Sequence, residues 1–160
     1  MKKKVTIVDY GLGNIVSAQQ SFLKIILEKK INADVVISNL PEDVLSCTHL
    51  VVPGQGAFKS CIDGLRNIPG MINALETSVI KNKKPFLGIC VGMQLLADYS
   101  FENGKHEGLG WIKGSIKKME VKSLKLPHIG WNNVNVVNNS SQMVFSLANK
   151  DFYFVHSYYF

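Results

Sequence analysis

Four short apolar segments recur along the first 90 residues, and a stretch with helical spacing separates each segment from the next. They occupy residues 5–8, 33–37, 50–52 and 85–89. Helices are predicted over residues 15–30, 41–45, 61–66 and 71–81 from their apolar spacing. Strands that alternate with helices are typical of α/β proteins. The order therefore predicts a doubly wound, mostly parallel sheet, in which ligands bind beyond the carboxyl ends of the strands.

The fourth segment runs into Gly-Ile-Cys-Val-Gly at residues 88–92, and a helical pattern follows directly, through residue 97. A sharp strand-to-helix turn strains the residue at its tip, and the flanking glycines let neighbouring backbone pass close by. A helix N-terminus beneath the sulfur favours the thiolate over the thiol. The pattern predicts that Cys90 is a nucleophile; a buried structural cysteine is the alternative.

Two glycine-containing loops leave the same edge of the predicted sheet. In the first, Gly11 and Gly13 suggest a dinucleotide-binding fingerprint, but Val16 stands where its third glycine belongs, so a plain turn is the better interpretation. The second loop reads Pro-Gly-Gln-Gly-Ala-Phe at residues 53–58. Its backbone N–H groups could hold an oxyanion. Acyl transfer needs two such donors, and the sequence predicts the amide of Val91 and the loop that begins at Gly54.

A cysteine nucleophile also needs a base. The chain has four histidines. From the sequence alone, His156 is the only natural candidate, because it ends a predicted strand. A purely structural histidine is the alternative at that position.

The character of the chain changes at Gly108. Short strands broken by glycine and proline predict an antiparallel meander from there on, with an aromatic strand over residues 152–160. Ser140 or Ser141 could cap a short helix through Leu147. The sequence contains no linker and no internal repeat. A single domain over residues 1–160 is therefore predicted.

Composition excludes several classes of function. The net charge of +6 comes from lysines that are not interleaved with stacking aromatics, so nucleic-acid binding is not predicted. The basic residues form a solvated face or dock against an acidic protein. No apolar run approaches the length of a membrane span. The three cysteines lack the spacing of a metal site or disulfide scaffold, which favours a reducing compartment, the cytoplasm by default.

Six short motifs, taken together and in order, resemble a known family. They are Asp-Tyr-Gly-Leu-Gly-Asn (9–14), Pro-Gly-Gln-Gly-Ala-Phe (53–58), Gly-Ile-Cys-Val-Gly-Met-Gln (88–94), Glu-Gly-Leu-Gly-Trp (107–111), Pro-His-Ile-Gly-Trp-Asn (127–132) and Phe-Val-His-Ser-Tyr-Tyr (154–159). The set resembles the glutaminase subunits of imidazole glycerol phosphate synthases, which are class I (triad) glutamine amidotransferases. The resemblance runs from Val5 to Phe160, and it implies a flavodoxin-like fold with an added antiparallel region.

The resemblance also implies a mechanism without metal or cofactor. Cys90 would attack the side-chain amide of glutamine and release ammonia, and water would hydrolyse the resulting thioester to glutamate. The residues that would donate to the oxyanion or contact glutamine are Gly54, Gln55, Gly56, Val91, Gln94, His156, Ser157 and Tyr158. On this basis the segment with His156 lines the glutamine pocket and does not supply the base.

A partner is implied as well. Asn14 and Trp131 match positions that face a (β/α)8-barrel cyclase subunit in a heterodimer. Ammonia would pass through that barrel to form imidazole glycerol phosphate in histidine biosynthesis. The alternatives are a paralogue that serves surface-sugar amidation, an inactive binding or regulatory module of the same fold, and a different cysteine hydrolase.

One departure limits these expectations. The family's catalytic histidine and glutamate lie in a Phe-His-Pro-Glu-type segment downstream of His-Ser-Tyr-Tyr, and the 160 residues do not contain it. The chain is thus expected to be a C-terminally truncated form with negligible glutaminase activity by itself. An exposed apolar edge of the sheet is also expected, with poor solubility or self-association.

Overall fold

The computed structural model describes residues 2–136 and 146–160. It contains two compact units, residues 1–116 with Phe160, and residues 117–159. A single domain over residues 1–160 remains a prediction. The helix cap predicted at Ser140 or Ser141 lies outside the described residues.

The first unit is built on a four-stranded parallel sheet. Its strands are β1 (Lys3–Val8), β2 (Ala33–Ser38), β3 (His49–Gly54) and β4 (Phe86–Cys90), arranged in the order β2-β1-β3-β4. All three pairings are parallel. This confirms the predicted α/β fold class with a mostly parallel sheet.

The helices connect these strands in sequence. They are α1 (Ile15–Glu28), α2 (Pro41–Ser46), α3 (Phe58–Arg66) and α4 (Met71–Glu76). The segment Thr77–Lys81 continues α4 as a π-helix, so the helix predicted over residues 71–81 forms with different hydrogen bonding in its second half.

Side chains alternate across β1 and bury both of its faces. Val5 and Ile7 pack into a cluster with Phe22 of α1. Thr6 points the other way and donates its hydroxyl to the carbonyl of Asp43 in α2. A strand covered on both faces needs apolar or paired polar residues at every position, which the sequence Val-Thr-Ile-Val supplies.

The predicted helix through residue 97 is wrong. After β4, α5 (Val91–Gln94) makes one turn and the chain enters β5 (Ala97–Ser100). The carbonyl of Leu96 accepts hydrogen bonds from the N–H groups of Trp111 and Ile112, both at 2.9 Å. Pairing with a distant segment therefore replaces the local helical bonds.

Strand β5 lies between β6 (His106–Glu107) and β7 (Ile112–Lys118). Its pairing with β6 is antiparallel, but its pairing with β7 is parallel. The pairing with β7 is parallel because the crossover through residues 101–111 returns the chain in the same direction. Strand β5 ends before Gly108, where the predicted antiparallel meander begins.

The second unit contains an antiparallel pair, β8 (His128–Asn133) and β9 (Asp151–His156). A short strand, β10 (Tyr158–Tyr159), pairs antiparallel with Lys117 and Lys118 at the end of β7. These pairings confirm the predicted antiparallel region. No helix within the described residues is long and apolar enough to cross a membrane.

Candidate active site

Cys90 occupies the turn between β4 and α5 in an unusual backbone conformation. Its φ is 55° and its ψ is −120°. Positive φ is uncommon for a residue with a side chain, and such strain costs about 1–3 kcal/mol. Cys90 is exposed, whereas the other two free cysteines, Cys47 and Cys61, are buried. The chain therefore presents this sulfur on a strained, accessible tip.

The glycines on either side of Cys90 are required by close packing. A Cβ at Gly88 would lie 2.6 Å from the Cα of Met93. A Cβ at Gly92 would collide with the carbonyl oxygen of Val52 in β3. The turn is thus wedged against the neighbouring strand, which holds Cys90 in place.

The loop after β3 lies beside this turn. Gly54 ends β3 and is in register with Cys90 across the sheet. A Cβ at Gly54 would come within 2.9 Å of Val91. The structure therefore brings together Gly54 and Val91, the two positions from which oxyanion donors are predicted. We call residues 54–57 the β3–α3 loop; within it, Gln55 and Gly56 are exposed.

The loop after β1 reaches the same edge. A Cβ at Gly13 would lie 3.4 Å from the backbone nitrogen of Gly54. Asn14 is exposed, and its side-chain oxygen caps α1 by accepting the N–H of Ser17 at 3.2 Å. Loops after β1, β3 and β4 thus converge beyond the carboxyl ends of the strands, where ligands bind in sheets of this type.

Gln94, the remaining predicted residue of this unit, ends α5. It is buried, with 8% of its surface exposed. It lies four residues after Cys90, at the end of this one-turn helix. Its contact with substrate stays a prediction.

The second unit contains the other predicted residues. The Nδ1 of His156 lies 3.0 Å from the carbonyl oxygen of Tyr158, which can only accept, so Nδ1 carries a proton. The Nε2 of His156 lies 3.2 Å from Nδ1 of His128. Ser157 accepts the N–H of Met119 at 2.9 Å through its carbonyl. Hydrogen bonds thus join His128, His156 and Tyr158, while Ser157 is bonded separately to Met119. The role of His156, Ser157 and Tyr158 toward glutamine stays a prediction.

Trp131 stands on the outer face of the β8–β9 pair. Its side chain is 74% exposed and meets Tyr153 edge-to-face, with ring centroids 5.5 Å apart. Ile129 and Val155 face each other in register on the same side and are both exposed. The pair therefore presents an apolar, aromatic surface.

A family model for the class-I glutamine amidotransferases matches residues 8–160. The chain belongs to this family. The matched residues include both the Cys90 turn and the β3–α3 loop.

Curated relatives give a more specific similarity. The chain is 46% identical to a protein from Gluconobacter oxydans, over 97% of its own length and 74% of the relative's. It is also 46% identical to a Pelagibacter ubique protein, over 98% of this chain and 74% of the relative, and 43% identical to a Zymomonas mobilis protein, over 98% and 71%. Each of these relatives is named imidazole glycerol phosphate synthase subunit HisH.

Sequence reasoning missed two residues that hold the β3–α3 loop of this amidotransferase. The hydroxyl of Tyr10 donates to the carbonyl of Pro53. The carboxylate of Glu102 accepts the N–H of Phe58 at 2.8 Å, at the start of α3. A tyrosine inside a glycine-rich loop hints at the first contact. The second joins residues 44 positions apart and has no local signal.

Across residues 2–136 and 146–160, no group of three histidine, cysteine, aspartate or glutamate side chains is placed to hold an ion.

Proposed function

We propose that this amidotransferase is the glutaminase subunit of an imidazole glycerol phosphate synthase. It would hydrolyse glutamine to glutamate and deliver the ammonia to a cyclase subunit in histidine biosynthesis. The observation that carries the proposal is the strained turn of Cys90, wedged beside Gly54 at the carboxyl edge of the sheet. The names of the relatives supply the reaction in which such a turn would work.

The proposed reaction is an acyl transfer through Cys90. The sulfur of Cys90 attacks the carbonyl carbon of the glutamine side-chain amide, and the carbonyl oxygen becomes an oxyanion. N–H groups of Val91 and of the β3–α3 loop, Gly54 to Gly56, would donate to that oxygen. The carbon–nitrogen bond then breaks, ammonia leaves with an added proton, and a thioester to Cys90 remains. Water hydrolyses the thioester to glutamate.

Substrate contacts are proposed on both units. Gln94 would contact glutamine from beside Cys90, and His156, Ser157 and Tyr158 would line the pocket. Among the described residues of the first unit, no histidine hydrogen-bonds Cys90. The resemblance assigns the base to a His–Glu pair that the 160 residues do not contain, and the chain spans 71–75% of its relatives' length. Activity is therefore tested on the full product of the gene, which we call the complete protein.

The proposed partner is a barrel-shaped cyclase subunit, bound as a heterodimer. Trp131 and Asn14 would face it. The exposed face of the β8–β9 pair fits this role, since exposed aromatic patches commonly mark protein interfaces. The three free cysteines fit a reducing compartment, and we place the complex in the cytoplasm.

The experiment measures glutamate formation from glutamine by the complete protein, with and without the barrel cyclase. We expect activity that depends on the barrel subunit and disappears in Cys90→Ser. Trp131→Ala should weaken association with the barrel by at least tenfold in Kd, since buried aromatic residues dominate interface energies. Leu27→Ala, at another exposed apolar position, is the matched control.

The alternatives give different results. Activity with a barrel subunit of sugar amidation, but not with the histidine-pathway cyclase, would point to the paralogue. Failure of Cys90 to react with a glutamine-analogue electrophile in either complex would favour a non-catalytic module. Reaction with unrelated esters but not with the glutamine analogue would favour another cysteine hydrolase.

A further inference from the structure

Tyr10 is a buried tyrosine just beyond the end of β1, with 6% of its surface exposed. Its ring packs against the backbone of α3 so closely that a Cβ at Gly64 would lie 2.9 Å from the ring carbon Cδ2. Its hydroxyl donates to the carbonyl of Pro53, 43 residues further along the chain. The side chain therefore has little freedom. Its hydroxyl is fixed on Pro53, the residue directly before the β3–α3 loop.

The bond from Tyr10 to Pro53 holds β3 beyond the point where its backbone pairing with β1 ends. Backbone pairing between β1 and β3 ends at Ile7 and Val51. Beyond that point, the Tyr10 hydroxyl holds the carbonyl of Pro53. Because the peptide group is planar, fixing this carbonyl also fixes the plane of the bond to Gly54. Gly54 in turn lies against Val91 next to the Cys90 turn.

A second buried donor holds the other side of the loop. The Sγ of Cys61, in α3, lies 3.4 Å from the carbonyl oxygen of Gln55. Burial raises the pKa of both the Tyr10 hydroxyl and the Cys61 thiol, so both groups keep their protons and remain donors near neutral pH.

We propose that Tyr10 and Cys61 are positioning residues for the glutaminase reaction, because they donate hydrogen bonds to the carbonyls of Pro53 and Gln55. These bonds fix the orientation of the loop N–H groups that donate to the oxyanion. This inference rests on the proposed function of the Cys90 site. Both side chains are buried, so we assign them no contact with substrate.

The expected effect is selective for the chemical step. Oxyanion donors act where charge develops in the transition state, and removal of one such donor costs about 100- to 1,000-fold in kcat. Loss of an anchor leaves the donor present but less well placed, so we expect a smaller drop of roughly tenfold in kcat. Binding of ground-state glutamine does not need the oxyanion donors, so KM should stay within about twofold.

The test uses Tyr10→Phe in the complete protein with its barrel subunit, and measures kcat and KM for glutamine. Ser78→Ala is the matched control, because it also removes a bond from a buried hydroxyl to a carbonyl, that of Val44 at 2.8 Å, elsewhere in the same unit. Alkylation of Cys90 by iodoacetamide is the second readout. That displacement forms no oxyanion, so its rate should equal that of the wild type.

A selective loss of kcat in Tyr10→Phe, with unchanged alkylation and a normal Ser78→Ala, supports the inference. Wild-type kcat in Tyr10→Phe, or an equal loss in Ser78→Ala, overturns it. If Tyr10→Phe does not fold, Cys61→Ala decides: a lower kcat at constant KM supports the inference, and an unchanged kcat overturns it. A wild-type complex without glutaminase activity would instead refute the proposed function itself.

Discussion

Cys90 holds a backbone conformation that glycine would adopt with less strain. The φ of 55° costs a residue with a Cβ about 1–3 kcal/mol. Glycine avoids that cost but loses about 0.4–1 kcal/mol through the greater freedom of its unfolded chain. The cost of the positive φ is the larger of the two, so we predict that the turn with Cys90 is strained.

Two substitutions at this position measure the strain. Cys90→Gly and Cys90→Ala both remove the sulfur, but only alanine keeps the Cβ. We expect Cys90→Gly to be more stable than Cys90→Ala by about 1 kcal/mol in urea unfolding. An alanine variant as stable as the glycine variant would show that the turn is relaxed.

The strained turn was foreseeable from residues 88–92, because an apolar run that ends in Gly-x-Cys-x-Gly before a helical pattern is typical of a sharp strand-to-helix turn. The bond from Tyr10 to Pro53 was not. It joins residues 43 positions apart, and only the parallel pairing of β1 with β3 brings them together. Local patterns thus predict the turn itself, whereas the contacts that hold its surroundings depend on the tertiary fold.

At the scale of elements, α2 is tied to two strands by a single carboxylate. Asp43 accepts from the Nζ of Lys4 in β1 and from the hydroxyl of Ser38 in β2, both at 2.6 Å. Hydrogen bonds from Lys4 and then Ser38 lower the pKa of Asp43 below its usual value. Because its folded-state pKa is depressed, the stabilisation is present above the unfolded pKa and is lost as pH falls through the folded pKa.

Asp43→Asn should therefore lower stability at neutral pH and flatten the acid branch of the stability curve, below about pH 4. The measurement is Tm against pH. Glu42→Gln is the control, since Glu42 lies in the same first turn of α2. Equal acid branches for wild type and Asp43→Asn would contradict the expectation.

The strands were easier to predict than the helices that follow them. Runs such as Val-Thr-Ile-Val can be buried on both faces only in a central strand, so β1 to β3 were evident. Strand β5 was missed because residues 95–97 have helical apolar spacing. Its strand conformation depends on N–H groups from residues 109–112, which a local pattern does not contain.

Within the described sheet, β4 pairs only with β3 and forms an edge. Leu87 in that strand is 46% exposed. Exposed apolar edges promote pairing between chains. We therefore expect a polypeptide of residues 1–160 to self-associate, and Leu87→Lys to reduce the association in light scattering. Leu27→Lys, on helix α1, should leave it unchanged; a monomeric parent chain would refute this.

At the scale of the whole molecule, the residues assigned to the reaction are spread over both units. Cys90, Gly54 and Val91 lie in the first, and His156 lies in the second. His156 uses Nδ1 on the carbonyl of Tyr158 and faces His128 with Nε2. Both ring nitrogens thus have partners within the second unit, which fits a pocket residue better than a base for Cys90.

A polypeptide of residues 1–160 should consequently bind the barrel subunit through Trp131 yet form almost no glutamate. Without a base, the thiol of Cys90 must lose its proton to water, and the leaving ammonia must gain one from water. General acid–base catalysis contributes about 100- to 10,000-fold, so kcat should fall by at least 100-fold relative to the complete protein. Glutamate release would be compared at equal concentrations between residues 1–160 and the complete protein, each bound to the barrel subunit. Equal rates would contradict this account, and a further loss in His156→Ala would then identify His156 as the base.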